Sequence, residues 1–482
     1  MSTSKRVAGK PYLLIKLPIM EFGKTETKQK FQQLELFNLA KPVNLGFRGG
    51  FSFTFVDLFS GIGGFRIPLE ELGGQCLGYS EINSKSIAVY KNNFVSPLNS
   101  KEINLGDITK LKKLPFNNID LLVGGVPCQP WSIAGKIKGF NDLRGKLWFD
   151  VIRLVKANKP KGFIWENVKG LTEPRHKESF DFILQSLQNL GYQVQWSLVN
   201  SYDFGLSQDR ERVFIIGIRK NISNCGAFKF PLPLDKKPKL YQFVEGIKPY
   251  PIHKKKFSPQ ELFGEIKPAS RGRFQKDDEL NDFFTFADIR DGHTTIHSWD
   301  LIETTPQEKF ICQTILKNRR KKKYGNKDGN PLSLSVLQNL IPNLTSNELD
   351  NLVTKKILRY IHPKGYEFVN SKISTGINGI AKIYLPHSDV IATLTATGTR
   401  DFVATKSLKC QRPKIYKKSF IEKIYKRQKF KLLSSRDYAR LQGFPNWFIL
   451  DQEESTAKKQ LGNAVSVPVV YHLAKSLLRI IA

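Results

Sequence analysis

From about residue 53 to residue 219 the chain repeats one rhythm: an apolar run of strand length, a polar turn, an amphipathic stretch, then the next apolar run. "FTFVDLF" (53–59) predicts a buried strand, "GIGG" a turn, and "FRIPLEELG" a helix closed by Gly73. "QCLGYSEI" predicts a strand, "NSKSIAVYKNNF" a helix capped by Asn83, and "IDLLVGGVP" a third strand. The pattern continues through "LWFDVIRLVKAN" (helix), "GFIWEN" (strand), "SFDFILQSLQNLG" (helix), "YQVQWSLVN" and "RVFIIGIR" (strands). Such alternation buries its apolar surface in a doubly wound α/β fold, a mostly parallel sheet with helices on both faces. Ligands of these sheets sit beyond the carboxyl ends of strands, and "VPC" (126–128) lies at one.

At 482 residues the chain exceeds one ordinary core, so a second domain or a large insertion is expected. The rhythm breaks after about residue 225 into Pro- and Lys-rich pieces such as "FPLPLDKKPKLYQF". Residues 226–430 hold 38 Lys and Arg against 20 Asp and Glu, which predicts a smaller, irregular, basic second domain. Within it "SLSVLQNLIPNLTSNELDNLVTKKILRYIHPKGYEFVN" predicts two helices and a hairpin (333–372), with Thr345 as a cap. This is either a winged-helix-like unit or a packing insert. The organisation expected is an N-terminal extension (1–50), a first domain (51–225), the basic domain (226–445) and a C-terminal return (446–482) to the first domain. In that return a turn leads into an apolar helix.

The formal charge is +33, which points to a polyanionic partner, although a lysine-favouring codon bias raises the same count. Charge alone does not separate DNA, RNA and membrane. Five scattered cysteines without a CxxC spacing exclude a disulfide framework and give no zinc site, so no metal is expected. "YLLIKLPIM" near the start is too short to span a membrane and lacks a cleavage site, which leaves a cytoplasmic protein as the expectation.

The glycine turn of "DLFSGIGG", the strand-ending Glu81 in "YSEIN" and Asp107 in "GDIT" together suggest an adenosine-containing cofactor. A carboxylate at the end of the second strand can accept both ribose hydroxyls. Cys128 by itself is most often a small buried hydrophobe. On a strand-end loop among glycines it is a candidate nucleophile, and because a free thiol has a pKa of about 8.5 it needs help from its site. Glu166, beside Trp165 at the end of another apolar run, is a carboxyl suited to holding a proton. Arg210 and Arg212 in "QDRER" are candidate charge partners, or simply an exposed ion pair with Glu211.

"DLFSGIGGFR", "GGVPCQPWS", "ENV", "QDRERVFIIG", "RLQGFP" and "QLGNAVSVPV" occur in the order seen in cytosine-C5-specific DNA methyltransferases, and the chain resembles that family over Thr54–Ile218 and Ser434–Val470. The resemblance implies a Cys128 thiolate that adds to cytosine C6, Glu166 at the ring's N3, and Arg212 at its carbonyl oxygen with Arg210 supporting the loop. It implies S-adenosylmethionine as methyl donor and S-adenosylhomocysteine as product. Asp57, Phe59, Gly61, Gly63, Glu81, Ile82, Asp107, Ile108, Leu147, Asn463 and Val465 are then the cofactor contacts. Ile82 stands where the family often has an aromatic, so Phe59 is left to cover the adenine face.

The base must leave the duplex to be reached. Gln129 and Ser132 are expected at the DNA around it. The basic block occupies the place of the family's target recognition domain. "TATGTRDF" within it offers Thr397, Thr399 and Arg400 as base readers, arginine being suited to guanine. The partners expected are double-stranded DNA, with a cognate restriction endonuclease as a functional companion only, and a monomeric chain. An RNA cytosine methyltransferase is the nearest rival, but typical ones carry their nucleophile where this chain has Glu166. A silent DNA-binding homologue would not need Cys128, Glu166 and Arg212 together.

Overall fold

The computed structural model describes residues 50–95, 103–127, 145–235, 238–247, 283–284, 297–326, 329–369, 382–384, 386, 390–396, 401–406 and 416–482. The first part runs β1 (Phe53–Leu58), α1 (Arg66–Glu71), β2 (Gly74–Ser80), α2 (Ser84–Phe94), β3 (Ile103–Asn104) and β4 (Leu121–Gly125). It continues with α3 (Leu147–Asn158), β5 (Gly162–Val168), α4 (Lys177–Asn189), β6 (Tyr192–Asn200), β7 (Gln208–Asp209) and β8 (Glu211–Arg219). Seven of these strands form one sheet in the order β3-β2-β1-β4-β5-β8-β6. The pairs from β3 to β5 are parallel, and β8 runs antiparallel between β5 and β6. The mostly parallel sheet expected from the sequence is therefore present.

Alternate side chains of each strand enter opposite cores, as the period of two requires. Phe55, Leu121, Val123, Ile164, Phe214 and Ile216 pack on one face with α1. Val56, Leu58, Leu122, Trp165, Val213 and Ile215 pack on the other with Trp148, Leu154 and Ile183 of the covering helices. Each such buried side chain contributes about 1.5–3 kcal/mol relative to exposure, so the apolar runs are held by both faces at once. Asn83 caps α2 as expected, its Oδ1 accepting the Ser86 N–H at 3.0 Å.

The basic region contains β9 (Phe283–Phe284), α5 (Ser298–Leu301), α6 (Pro306–Asn318), α7 (Leu334–Leu340), α8 (Ser346–Thr354), β10 (Leu358–Ile361) and β11 (Gly365–Phe368). The expected two helices and hairpin are α7, α8 and β10–β11. Thr345 and Glu348 cap α8 reciprocally. Together with α6 they enclose a core of their own around Ile311, Ile315, Leu337, Leu349 and Leu352. Farther on, β12 (Lys382–Tyr384), β14 (Asp401–Ala404) and β15 (Phe430–Leu432) join β9 in a small sheet, while β13 (Ile391–Ala392) pairs with β7.

The chain closes with α9 (Tyr416–Phe420), α10 (Ser435–Gln442), α11 (Glu454–Asn463) and α12 (Val467–Ile481). The break expected ahead of the apolar helix lies between α11 and α12, and α11 before it is a helix that the sequence did not mark: its Ala457 and Leu461, one turn apart, are both fully buried. Glu454–Ile481 is long and apolar enough to cross a membrane. In the fold, Val470, Leu473 and Leu477 of α12 fill the first core beside Phe55 and Ile164. Phe444 of "RLQGFP" joins Ile391, Leu394 and Val403 of the basic region to Ile62 and Leu206 of the first part.

Candidate active site

A cavity of about 500 Å³ lies beyond the carboxyl ends of β1, β2, β4 and β5, with α11 and the residues after it as its far wall. Phe59, Gly61, Glu81, Ile82, Asp107, Ile108, Leu147, Asn463 and Val465 all line it, and so do Glu166, Arg210, Arg212 and Pro127. Residues scattered over more than four hundred positions meet there because parallel strands present the same end to one side of the sheet.

The backbone does much of the shaping. Phe59 takes φ of 57° and Gly61 φ of 55°, which folds the turn after β1 back over the strand end. Glu81 secures that turn: its Oε2 accepts the Gly61 N–H at 2.9 Å, while its Oε1 accepts those of Ile82 and Asn83 at 2.8 and 2.7 Å. Ile82 is 74% exposed, an apolar side chain left bare at the cavity wall. Asp107 caps the single turn Ile108–Lys110. Its Oδ1 accepts the Thr109 N–H and hydroxyl at 2.9 and 2.8 Å, and these bonds hold its carboxyl below the usual range.

Two of the expected cofactor contacts stand behind the cavity rather than on it. A Cβ on Gly63 would come within 2.3 Å of the Phe94 ring, so this glycine lets α2 approach the turn. Asp57 is 0% exposed, and neither of its carboxylate oxygens has a hydrogen-bond partner among the described residues. Burial pushes its pKa well above the usual carboxylate range, Arg66 opposes this, and Glu81 adds to it.

On the other side of the cavity Arg212 Nε approaches Glu166 Oε1 to 3.0 Å. Antiparallel pairing of β5 with β8, which sets Val168 opposite Arg212, brings the two side chains together. Burial raises the Glu166 pKa, against the pull of Arg212 and Arg210. β5 also grips Val126, two residues before Cys128 in the sequence. The Val126 N–H donates to the Glu166 carbonyl, and Asn167 Nδ2 donates to the Val126 carbonyl, both at 3.2 Å.

Arg210 is 1% exposed, and its guanidinium donates to the carbonyls of Leu394, Gly462 and Ala464 at 3.1, 3.2 and 2.8 Å. It ties three distant segments together at the cavity's edge. Cys128, Gln129, Ser132, Thr397, Thr399 and Arg400 lie outside the described residues.

Several contributors carried no recognisable signal in the sequence. Lys85 Nζ lies 2.6 Å from Glu453 Oε2 and 3.2 Å from Thr456 Oγ1, joining α2 to the start of α11 at the cavity rim. The Lys85 bond is the main reason that Glu453 is held down to about 2. Gln208 and Gln442 belong to "QDRER" and "RLQGFP", where nothing local marks an amide as structural. Both are fully buried, and their amides hydrogen-bond main chain from distant parts of the protein.

A family model described as C-5 cytosine-specific DNA methylase matches residues 53–479. The chain is 44% identical over 427 residues to the Type II methyltransferase M.HgiBI of Herpetosiphon aurantiacus, covering 88% of this chain and 96% of that protein. It is 32% identical over 469 residues to the Type II methyltransferase M.NlaIV of Neisseria lactamica, covering 88% and 98% respectively.

Proposed function

Because this chain belongs to the C-5 cytosine-specific DNA methylase family, we propose that it methylates C5 of a cytosine rotated out of duplex DNA. The donor is S-adenosylmethionine, and a transient bond joins Cys128 to C6 of the base. Residues 226–445 select the DNA sequence, with Thr397, Thr399 and Arg400 as base readers. Relatives named Type II methyltransferases support a modification role beside a restriction endonuclease in a bacterial cytoplasm. The observation that carries the reading is the buried Glu166–Arg212 pair, which opens on the cavity lined by Pro127 and by all the expected cofactor residues but Asp57 and Gly63.

The residues present fit the cofactor. Bound there, it supplies an electrophilic methyl group on a positively charged sulfur. Phe59, Ile82 and Ile108 offer apolar surface for an adenine, and Glu81 and Asp107 offer acceptors. The Asp57 carboxyl behind the β1 turn, without a hydrogen-bond partner among the described residues, is held toward its neutral form by burial, and a cationic ligand nearby would favour its ionised form and be favoured by it in turn.

Toward the cytosine, the Cys128 thiolate forms the S–C6 bond and the ring electrons shift toward N3, where the Glu166 carboxyl hydrogen-bonds or protonates the ring. Arg212 holds Glu166 in place and presents guanidinium N–H groups to the same space. Once C5 has gained the methyl group, its proton passes to solvent water and the C5–H electrons restore the C5–C6 double bond. The S–C6 bond breaks to return the thiolate, and any proton taken up at N3 goes back to Glu166. Low-dielectric surroundings strengthen each of these electrostatic contacts.

Bisulfite sequencing of DNA from bacteria expressing the chain should show protected cytosines within one short sequence. Random or absent protection would overturn the reading.

Asp57 gives a sharper test of the cofactor site. Asp57→Asn should weaken S-adenosylmethionine binding more than binding of S-adenosylhomocysteine, whose sulfur is uncharged, as read by calorimetry. An equal loss for both would mean that Asp57 acts through shape alone. The free chain should also lose stability as pH rises through the raised Asp57 pKa, because over that range the native state binds more protons than the unfolded chain. Asp57→Asn should remove that slope in thermal melts.

A further inference from the structure

The segment Val390–Ala396, on the expected path to the base readers, is fastened to the "QDR" of the catalytic part. Strand β13 pairs in parallel with β7, Ile391 opposite Gln208 and Ala392 opposite Asp209. The Ile391 N–H donates to the Ser207 carbonyl at 3.0 Å, and Thr393 Oγ1 donates to the Asp209 carbonyl at 2.6 Å.

The next residue is held on both its main-chain groups. The Leu394 N–H donates to Gln208 Oε1 at 3.0 Å, and its carbonyl accepts from Arg210 Nη1 at 3.1 Å. Gln208 Nε2 in turn donates to the Leu441 carbonyl at 2.9 Å, so one amide bridges Leu394 and the end of α10. A Cβ on Gly462 would lie 2.4 Å from the Thr395 carbonyl carbon, so the following peptide runs directly against α11. The centre of this network is dry, with Gln208, Ile391 and Leu394 each 0% exposed.

A buried polar network that is fully paired has one good arrangement, and half-pairing it is costly. The network therefore sets a single register. Base contacts need their side chains held to within about 0.5 Å of the productive position.

We propose that Gln208 is a specificity-determining positioning residue: it fixes the Val390–Ala396 segment against the catalytic sheet and so sets which flanking base pairs the enzyme accepts. The proposal rests on reading residues 226–445 as the recognition region. Gln208 does not line the cavity. Its side chain acts through Leu394, Leu441 and Gln442, none of which takes part in the chemistry.

The test uses the full chain carrying Gln208→Met, which keeps the volume and removes all three hydrogen bonds of the amide, to Leu394, Leu441 and Gln442. Thr393→Val, a near-isosteric change that removes only the bond to Asp209, is a second, milder variant. For each, kcat/KM is measured on the preferred duplex and on every single-base variant of it, with S-adenosylhomocysteine affinity as a control. The preferred site should lose roughly tenfold or more of its advantage over the best single-base variant in Gln208→Met, about what one base contact supplies. Thr393→Val should lose less, and cofactor affinity should be unchanged in both.

A fall by one common factor at every site, or an unchanged preference, would overturn the proposal. Should Gln208→Met fail to fold, Thr393→Val decides by the same criterion. Arg400→Ala, run in parallel, tests the recognition reading itself. A preference that shifts with Arg400→Ala but not with either packing variant leaves that reading intact and removes Gln208 from it.

Discussion

Cys128→Ser is expected to bind its DNA and cofactor normally and to transfer methyl groups at a rate lower by on the order of 10⁴-fold or more. Losses of that scale follow when a nucleophile that works as part of a unit is removed. A serine hydroxyl is similar in size to a thiol, but it lacks the thiol's accessible anionic form near neutral pH, and it is the anion that attacks. The chain is fixed just ahead of Cys128. Val126, two positions earlier, has its N–H and its carbonyl held by Glu166 and Asn167. Pro127 lines the cavity.

The serine change should leave those contacts alone, so loss of turnover without loss of binding is the signature. Duplexes carrying 5-fluorocytosine at the target should trap the unmodified enzyme as a covalent complex, since fluorine does not leave as a proton does. No trapped complex should form with the serine chain. Methylation by Cys128→Ser at near the normal rate would remove the covalent mechanism altogether.

Glu166→Gln is expected to be next in severity, with kcat lower by roughly 10²–10⁴-fold, the range that a positioned proton donor or acceptor contributes. Glutamine keeps the length and an acceptor for Arg212 but cannot carry an exchangeable acidic proton to N3. Burial raises the Glu166 pKa, so this carboxyl keeps its proton to a higher pH than an exposed glutamate does. Activity of the unmodified enzyme should therefore decline as pH rises through that pKa, and Glu166→Gln should lack this dependence. S-adenosylmethionine affinity is the control, because charge at N3 develops only as the thiolate adds. If affinity collapses along with turnover, Glu166 is holding the cavity together rather than handling a proton.

The sequence by itself determined the α/β class, because its apolar runs and amphipathic stretches alternate at the periods of strand and helix. Local chemistry placed caps such as Asn83 and Thr345, and it outlined the two helices and hairpin after residue 333. Motif order marked Glu166, Arg212 and Asn463, the cofactor reading of "YSEIN" and "GDIT" marked Glu81 and Asp107, and the fold gathers all five at one cavity.

Only the tertiary structure decided that β8 lies antiparallel between β5 and β6, which sets Arg212 against Glu166. It alone set Asp57 and Gly63 behind the cavity, added the helix Glu454–Asn463 ahead of the last one, and made Arg210 and Gln208 ties between segments. Lys85 meets Glu453 across 368 positions, and Gln208 meets Leu394 across 186. Periodicity and caps report interactions within a few residues along the chain. A partner hundreds of residues away is chosen by which buried groups are left to satisfy one another once the sheet and its helices have packed.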